Sequence, residues 1–513
     1  MDATLSALDV AIVVVYLVGV VGMSYAFARK QRTGEDYFLA GRNMRAIPLA
    51  LSILANQASA VSLVGAPAFV ALRDGGGLRW LQYELALPIA MLVLIVVFLP
   101  ALRFVPGSSI YAYVETRFGH PTRQALAGSF LLSRGLALGV ILYASALVVS
   151  TAIGWPITWS ILAIGVFSVA YTSLGGLAAD IWSDVAQFVL LWGGVFVAAA
   201  YVFVHGGRDV IDAIPLARAE PFVLGATGLR DGTTFALWPM LFGGVFLYLS
   251  YYGCDQSQAQ RLLAARTDGD ARRALVWNGL LRFPLVLTYC VFGLLLAGLL
   301  RVDASFAAQM ASKPVDSLVP TFMMTYLPSG LRGLLLAAIL AAAMSSIDSA
   351  LNSLAAVTLE DIAGIAPERQ GVWLSRFTSL VWGLFAVVSG LVFARSGSGV
   401  LELINQVGSA FYGPVLAVFT LAIVAPGLRN NGALVGLVSG LVANLVLARL
   451  APGVSWLWWN PAGFFVTCVV ALVVGRRLPV LTLAAWPSVE VRVLVGAFIA
   501  MIAILIGASA LAG

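Results

Sequence analysis

The sequence predicts an all-α polytopic membrane protein, and three observations carry that prediction. The chain has 513 residues, of which 61% are hydrophobic and only 11% are charged. A typical soluble domain has about 45–50% apolar and about 25% charged residues. The apolar residues fall into long blocks of the ~20 residues that a membrane-spanning helix needs, separated by short polar loops. The blocks do not alternate between apolar and polar residues, which excludes spanning strands.

Fourteen apolar blocks predict fourteen transmembrane helices. They cover residues 7–28, 47–72, 80–102, 124–150, 156–173, 180–205, 233–253, 274–300, 331–355, 374–395, 400–425, 432–450, 456–475 and 488–510. The first block is flanked by Asp2 and Asp9 rather than by the basic start of a cleavable signal. Neither terminus is long enough to fold as a soluble domain, so we expect no fused enzyme or sensor domain.

Basic residues are concentrated in every second loop, and these loops lie on one face of the membrane. The loop after the first block carries Arg29, Lys30, Arg42 and Arg45, and the next loop on the same face carries Arg103 and Arg117. Cytoplasmic loops are enriched in lysine and arginine, so this face is predicted to be inside and both termini outside. We expect an integral protein of a bacterial inner (cytoplasmic) membrane.

Two of the predicted spans are interrupted near their centres. The second block has a polar centre at Asn56-Gln57-Ala58-Ser59, and the seventh is interrupted around Pro239 and Gly243-Gly244. Interrupted spans in corresponding positions of two halves indicate a transporter built from inverted repeats. The predicted division is an extra helix and loop at 1–46, a first repeat at 47–205, an outside loop at 206–232, a second repeat at 233–425 and three extra helices at 426–513.

The ninth block carries the most informative polar face. Positions i, i+3, i+4 and i+7 share one side of a helix, and here they are Ala342, Ser345, Ser346 and Ser349. Hard cations prefer hydroxyl, carbonyl and carboxylate oxygens, and this face has neither sulfur nor imidazole for a softer metal. We interpret it as a cation site. The alternative is that each serine bonds back to its own helix.

Two carboxylates accompany this face. Asp348 lies on the same turn, and Asp184 in the sixth block is its expected companion across the bundle. Ionisable groups inside a membrane are functional candidates by default, and a bound cation would neutralise a facing carboxylate pair. The alternative is that both lie at the inner ends of their helices and are hydrated.

The break in the second block predicts a solute site beside the cation site. A broken helix frees carbonyl groups, here near Ala55 and Ala58, for ions or solute. Polar side chains at similar depth are Gln57, Ser59, Ser62, Gln82, Tyr83 and Glu84, and the tyrosines that follow are Tyr248, Tyr251, Tyr252 and Tyr412. Arg134 in the fourth block is a candidate counter-charge for an anion. Its alternative is an interfacial arginine that extends to the inside surface.

Five segments resemble the sodium/solute symporter family. They follow one another in the family's order and read EDYFLAGR at 35–42, ILANQASAVSLVG at 53–65, YTSLGGLAADIWSDVAQ at 171–187, YYGCDQSQAQRLLAA at 251–265 and AAAMSSIDSALNS at 341–353. The last three blocks match only in number and hydropathy. The resemblance implies a LeuT-like fold, with ten core helices in two inverted five-helix repeats and extra helices outside. It also implies alternating access coupled to sodium.

The resemblance further implies the ligands of the coupling ion. The family's common sodium site falls on the carbonyls of Ala55, Ala58 and Ala342 and the hydroxyls of Ser345 and Ser346. A further sodium site of some members falls on Asp184, Ser345, Asp348 and Ser349. Position 348 holds a carboxylate where the family has a hydroxyl, so the number of sodium ions stays open between one and two.

For the solute, the resemblance points to a pocket of side chains from several spans. The family's pocket positions fall on Gln57, Ser59, Ser62, Gln82, Glu84, Tyr248, Tyr251, Tyr252 and Asn405, with Arg134 near a position where anion carriers place an arginine. Glu84 matches a carboxylate that contacts sugar in the galactose carriers, but the neighbouring sugar pattern is incomplete. The YYGCDQ stretch looks more like the iodide, vitamin and monocarboxylate branch. We expect a sodium-coupled symporter of a small polar or anionic organic solute.

Other functional classes are less well supported. A proton-coupled symporter that uses Asp184 and Asp348 stays open. A transporter-like sensor or channel would need an attached domain or a repeated filter, and neither is visible. An enzyme would need a nucleophile–base pair or metal motif, whereas the chain has two distant histidines and no HExxH motif. ATP-driven transport would need a nucleotide site, and the chain has no GxxxxGK[ST] loop. The expected partners are the solute and membrane lipids, with no nucleic acid and no obligate protein partner.

Overall fold

The structure is a computed structural model. It describes residues 5–28, 39–103, 109–172, 177–229, 231, 233–366, 369, 372–395, 399–425, 427–475 and 488–512. Among these residues the extended pairing is limited to one isolated bridge between Met44 and Ala265, and helices make up the fold. Arg29 and Lys30, and parts of two family-like segments (35–38 and 173–176), lie outside the described residues.

Each of the fourteen predicted blocks contains a helix. In chain order the helices are α1 (Ala7–Ala28), α2 (Ala46–Gln57), α3 (Ala60–Leu72), α4 (Gly77–Leu102), α5 (Tyr111–Ile153), α6 (Ile157–Thr172), α7 (Leu177–Asp212), α8 (Gly244–Cys254), α9 (Gln256–Leu263), α10 (Asp268–Val302), α11 (Ala304–Met310), α12 (Leu318–Tyr326), α13 (Leu331–Val357), α14 (Val372–Phe393), α15 (Val400–Val424), α16 (Asn430–Leu450), α17 (Trp459–Gly475) and α18 (Ser488–Ala512). Within the described residues, ten helices are long and apolar enough to cross a membrane, and the bent pair α2–α3 makes eleven.

The second predicted span is broken where the sequence predicts. Helix α2 ends at Gln57, and Ala58 and Ser59 have non-helical backbone. Helix α3 then continues at an angle of 58° to α2. The Ser59 hydroxyl caps α3 by accepting a hydrogen bond from the Val61 amide at 3.2 Å. The polar residues at the centre of this span therefore end one helix and begin the next.

The seventh predicted span is not broken at its glycines, so that expectation was wrong. Pro239–Gly243 is a π turn that runs directly into α8, and both Gly243 and Gly244 have helical torsion angles. The glycine serves close packing, because a Cβ on Gly243 would lie 2.4 Å from the Leu457 carbonyl oxygen. The chain leaves helical geometry only at Asp255, between α8 and α9. The boundaries of the two repeats stay a prediction.

The arginine-bearing loops that were predicted to share one face meet at one end of the bundle. Arg103 Nε lies 2.7 Å from Asp268 Oδ1, and Arg42 donates to the carbonyl of Leu263 at 3.5 Å. At the opposite end, Arg218 donates to the carbonyl of Arg73 at 3.0 Å. We call the end with Arg42, Arg103 and Asp268 the basic end.

Helix α13 is the buried centre of the bundle. In its most apolar stretch 89% of the residues are buried, against 17% for α18 at the periphery. Helix α13 packs against α2, α3, α5 and α7. Its alanines and serines let neighbouring backbones approach closely, which is typical of helix interfaces in membranes. The break between α2 and α3 therefore lies beside the polar face of α13.

Candidate functional site

The end of α2 and the polar face of α13 meet in the protein interior. Ser346 Oγ donates to the main-chain oxygen of Asn56 at 3.0 Å. The five residues predicted to form the common sodium site are all buried here: Ala55, Ala58, Ala342, Ser345 and Ser346. Their carbonyl and hydroxyl oxygens suit a small hard cation.

The break also explains why a carbonyl group is available at this position. Ser59 is four residues after Ala55, so its amide would bond to the Ala55 carbonyl in a continuous helix. Ser59 instead has an extended backbone, with ψ of 175°. The break thus removes the donor that would normally satisfy the Ala55 carbonyl. This carbonyl is next in the chain to Asn56, whose main-chain oxygen accepts from Ser346.

Asp184 on α7 connects this region to a second polar cluster. The Ser345 hydroxyl donates to Asp184 Oδ1. The other oxygen, Oδ2, accepts from Ser52 Oγ at 2.5 Å and from Arg261 Nη2 at 2.8 Å. One carboxylate therefore faces the predicted sodium ligands with one oxygen and an arginine with the other.

We call the second region the Arg261 cluster, made of Arg261, Asp180, Asp184, Ser52 and Ser349. Arg261 is on α9 and is only 1% exposed. Its Nη2 lies 3.0 Å from Asp180 Oδ2 and 2.6 Å from Ser349 Oγ, and its Nε donates to Ser52 Oγ at 2.7 Å. Asp348 is also buried, on the same stretch of α13. Two of the four residues predicted for a second sodium ion, Asp184 and Ser349, are thus bonded to an arginine side chain.

A cavity lies next to the break, with Asn56, Gln57 and Ser59 in its wall. Its volume is about 90 Å³. Its wall includes seven of the predicted solute residues, namely Gln57, Ser59, Ser62, Arg134, Tyr248, Tyr251 and Asn405. Further lining residues that had not been assigned to the solute pocket include Asn56, Arg282, Tyr289 and Leu401.

Two arginines give the cavity wall its charge. Arg134 Nη2 donates to Asn56 Oδ1 at 3.2 Å, and its guanidinium lies 6.0 Å from the centre of the Tyr251 ring. Among the described residues, Arg134 Nε and Asn56 Nδ2 are buried without a hydrogen-bond partner. Arg282 Nε lies 3.4 Å from Glu84 Oε2, so a carboxylate balances its charge. The hydrogen-bond partner of Arg134 is a neutral amide oxygen, and the nearby buried carboxylate of Asp255 interacts with its charge.

The other predicted solute residues lie behind or across this wall. Glu84 pairs with Arg282 and also accepts from the Tyr248 hydroxyl at 3.0 Å. The Tyr252 hydroxyl donates to the side-chain oxygen of Gln57. Gln82 does not line the cavity. Its side-chain oxygen accepts from the Val223 amide at 3.0 Å and so holds an outer loop against α4.

Sequence reasoning missed three members of the Arg261 cluster, namely Arg261, Asp180 and Ser52. Asp180 and Asp184 are four residues apart, so they share one face of α7. Two buried carboxylates on one face need a cation, and that spacing was visible in the sequence. The identity of the cation was not visible, because Arg261 reads as one of the basic residues of an inside loop. Only the folding of α9 brings it to the carboxylates.

Comparison with known proteins places this geometry in one family. Residues 37–440 match the model of the sodium:solute symporter family. The chain is 31% identical over 441 residues to sodium-coupled monocarboxylate transporter 1 of Xenopus laevis, covering 83% of this chain and 69% of that protein. It is 32% identical over 465 residues to a putative sodium-dependent multivitamin transporter of Drosophila melanogaster, covering 86% and 74%. It is 30% identical over 443 residues to the human sodium/iodide cotransporter, covering 83% and 67%.

Two solved structures share the fold. A substrate-bound, outward-open sodium-coupled sialic acid symporter superposes with a TM-score of 0.81 at 23% identity, covering 92% of this chain and 99% of that one. Mhp1 in an inward-facing conformation gives a TM-score of 0.51 at 15% identity, covering 88% and 94%. With its LeuT-like architecture and its match over residues 37–440, the chain belongs to the sodium:solute symporter family, membrane transporters whose coupling ion is sodium.

Proposed function

We propose that this protein is a secondary active symporter that couples the inward movement of sodium to the import of a small organic anion by alternating access. The common sodium site is formed by Ala55, Ala58, Ala342, Ser345 and Ser346. We also propose that the protein lies in a bacterial inner membrane with both termini outside. The gathering of Arg42 and Arg103 at the basic end supports that orientation.

One residue carries the proposal, because it touches both the sodium ligands and the cavity. The main-chain oxygen of Asn56 accepts from Ser346 at 3.0 Å, and its side-chain oxygen accepts from Arg134 at 3.2 Å. A sodium ion at the break fixes the end of α2 and with it the position of Asn56. Asn56 in turn positions the Arg134 guanidinium in the cavity. Sodium therefore raises the affinity for the anion, and by linkage the anion raises the affinity for sodium by the same factor.

The unpartnered hydrogen-bond donors of the cavity support an anion as the solute. The Arg134 guanidinium has a buried Nε without a partner among the described residues, and the Asn56 amide nitrogen beside it is in the same state. A carboxylate would accept from both, and charge-assisted hydrogen bonds of this kind are about twice as strong as neutral ones. Two of the similar proteins are named for anions, a monocarboxylate and iodide.

Thermal unfolding of the purified protein tests the proposal. Short monocarboxylates, sialate, sugars, amino acids and vitamins are added one at a time, in sodium and in potassium at equal ionic strength. A ligand that binds only the native state at ~100 times its Kd stabilises that state by about 2.7 kcal/mol. We expect an organic anion to raise the melting temperature in sodium and not in potassium. Stabilisation by an uncharged sugar alone would contradict the anion, and equal stabilisation in both salts would contradict sodium coupling.

A further inference from the structure

The guanidinium of Arg261 lies where the sequence predicts a second sodium ion. The predicted ligands of that ion are Asp184, Ser345, Asp348 and Ser349. Arg261 Nη2 donates to Asp184 Oδ2 at 2.8 Å and to Ser349 Oγ at 2.6 Å. Two of the four expected side chains therefore already accept hydrogen bonds from a cation that is covalently part of the chain.

The arginine is fixed from several helices. Its Nε donates to Ser52 on α2 at 2.7 Å, and its Nη1 donates to the carbonyl of Ser257 on α9 at 2.6 Å. The start of α9 is itself held, because Asp255 Oδ1 accepts from the Ser257 amide at 2.8 Å. With α7 and α13 on its other sides, the side chain is buried in one position between four helices.

The charges of the cluster require a cation at this place. Asp180 and Asp184 lie on one face of α7, at 3.0 Å and 2.8 Å from Arg261 Nη2. Buried carboxylates are strongly destabilised when their partner cation is removed. Arg261 supplies that cation permanently. A sodium ion that used Asp184 Oδ2 and Ser349 would have to displace the guanidinium or lie against a like charge.

The common sodium site uses different oxygens. Its carbonyl ligands come from the break and from α13, and Ser346 is bonded to Asn56 rather than to the Arg261 cluster. Asp184 is the shared element, because Oδ1 accepts from Ser345 while Oδ2 accepts from Arg261. One side of this carboxylate is therefore available to an exchangeable ion, and the other is occupied.

We infer that Arg261 is a built-in second cation, so that one sodium ion binds and moves in each transport cycle. The inference rests on the proposed function, because it takes the common site as the sodium site. It also accounts for Asp184 of the predicted second site, which pairs with the arginine instead of with an ion. A second ion is excluded by a side chain rather than by a lack of oxygen ligands.

The number of sodium ions is measured with radioactive sodium alone, titrated onto the purified full-length protein at constant ionic strength with choline as the replacement cation. We expect one ion per protein at saturation and a Hill coefficient of about 1, since the coefficient is limited by the number of sites. Two ions per protein in the unaltered chain would overturn the inference and leave the proposed function intact. No saturable sodium binding would overturn the proposed function itself.

Three variants sharpen this count. Arg261→Gln removes the charge, so we expect a second sodium ion to bind at Asp184 and Ser349. Arg261→Lys keeps the charge and should keep one ion. Arg266→Gln is the matched control at the surface, where the Arg266 side chain is 48% exposed and pairs with Asp270 at 3.3 Å; it should also bind one ion. A folded Arg261→Gln protein that still binds one ion contradicts the inference, and if that variant does not fold, the count for the unaltered protein decides.

Discussion

Two neighbouring regions of this transporter hold positive charge in opposite ways. The proposed sodium site is built from neutral oxygens, the carbonyls exposed by the break in the second span and the hydroxyls of Ser345 and Ser346. The Arg261 cluster, to which α13 contributes Ser349, is built from two carboxylates of α7 around the guanidinium of Arg261 on α9. Asp184 belongs to both regions, with one oxygen in each.

The difference follows from what each region must do when its cation is absent. Carbonyls and hydroxyls are left without a formal charge when a sodium ion departs, so the ion can be released in every cycle. Breaking a buried ion pair leaves an uncompensated charge and costs about 3–5 kcal/mol. A carboxylate pair such as Asp180 and Asp184 is therefore compatible with a permanent cation. The comparison indicates that exchangeable and permanent charge use largely different ligands, with Asp184 as the residue they share.

The largest expected effect comes from removing ligands of the proposed sodium site, where the cation is exchangeable. Changing both Ser345→Ala and Ser346→Ala removes two sodium ligands, and a loss of about 1.4 kcal/mol for each weakens sodium binding ~100-fold. We expect sodium-dependent stabilisation and uptake to disappear. The matched control is Ser353→Ala, also buried on α13 but bonded to Gln260 at 3.4 Å. Sodium dependence that survives the double substitution would contradict the site, and uptake that persists without sodium would favour the proton-coupled alternative.

The second prediction concerns Arg134, whose guanidinium lines the cavity and has a buried Nε without a hydrogen-bond partner among the described residues. Arg134 is bonded to the Asn56 amide oxygen, where Arg261 is bonded to carboxylates. Arg134→Gln removes hydrogen bonds to a charged ligand worth about 1.5–3 kcal/mol, so we expect the anion to bind ~10–100-fold more weakly while sodium binding is retained. The measurement is anion-dependent thermal stability in sodium.

Arg134→Lys distinguishes charge from geometry. Lysine keeps the positive charge but loses the planar fork of the guanidinium, so it should restore part of the anion affinity. Equal anion affinity in the unaltered protein and in Arg134→Gln would show that the solute is not anchored at this position.

The smallest expected effect concerns a buried carboxylate that is held by a backbone amide. Asp316, outside the membrane-spanning helices, accepts from the Val400 amide at 2.9 Å. Burial raises its pKa to about 6. The folded state therefore binds this proton more tightly than the unfolded state, and the free energy of unfolding falls as the pH rises from about 4 to about 6. Asp316→Asn should remove this fall, which is about 1–3 kcal/mol.

The measurement is the thermal midpoint of each protein between about pH 4 and pH 7. Asp303→Asn is the control, because hydrogen bonds from Tyr326 and Ser305 lower the pKa of Asp303 to about 2 and its effect falls below this window. An unchanged pH dependence in Asp316→Asn would show that the buried carboxyl group does not control stability in this range.

The parts of the site that depend on local sequence could be predicted. Polar residues in the middle of an apolar span place the break at Asn56–Ser59, and the spacing of Ser345 and Ser346 places them on one face. The interruption expected at Gly243 was wrong, since glycine indicates either a break or close packing and here a neighbouring backbone explains it. The arginine of the second cluster was missed because its position depends on how α9 packs against α2 and α13.

Gln82 shows the same limit. The sequence places it at the depth of the solute pocket on the third span, beside Glu84. The structure turns its side chain toward the Val223 amide of an outer loop instead. Depth in the membrane can be read from hydropathy, whereas the side of the helix that faces the cavity depends on contacts between distant segments.

The most direct test of the central claim is uptake into proteoliposomes of an organic anion that stabilises the protein. An inward sodium gradient is compared with an inward potassium gradient of equal size. We predict accumulation of the anion above its external concentration with the sodium gradient, and loss of that accumulation in the Ser345→Ala, Ser346→Ala protein. Equal uptake with either gradient would contradict sodium-coupled symport.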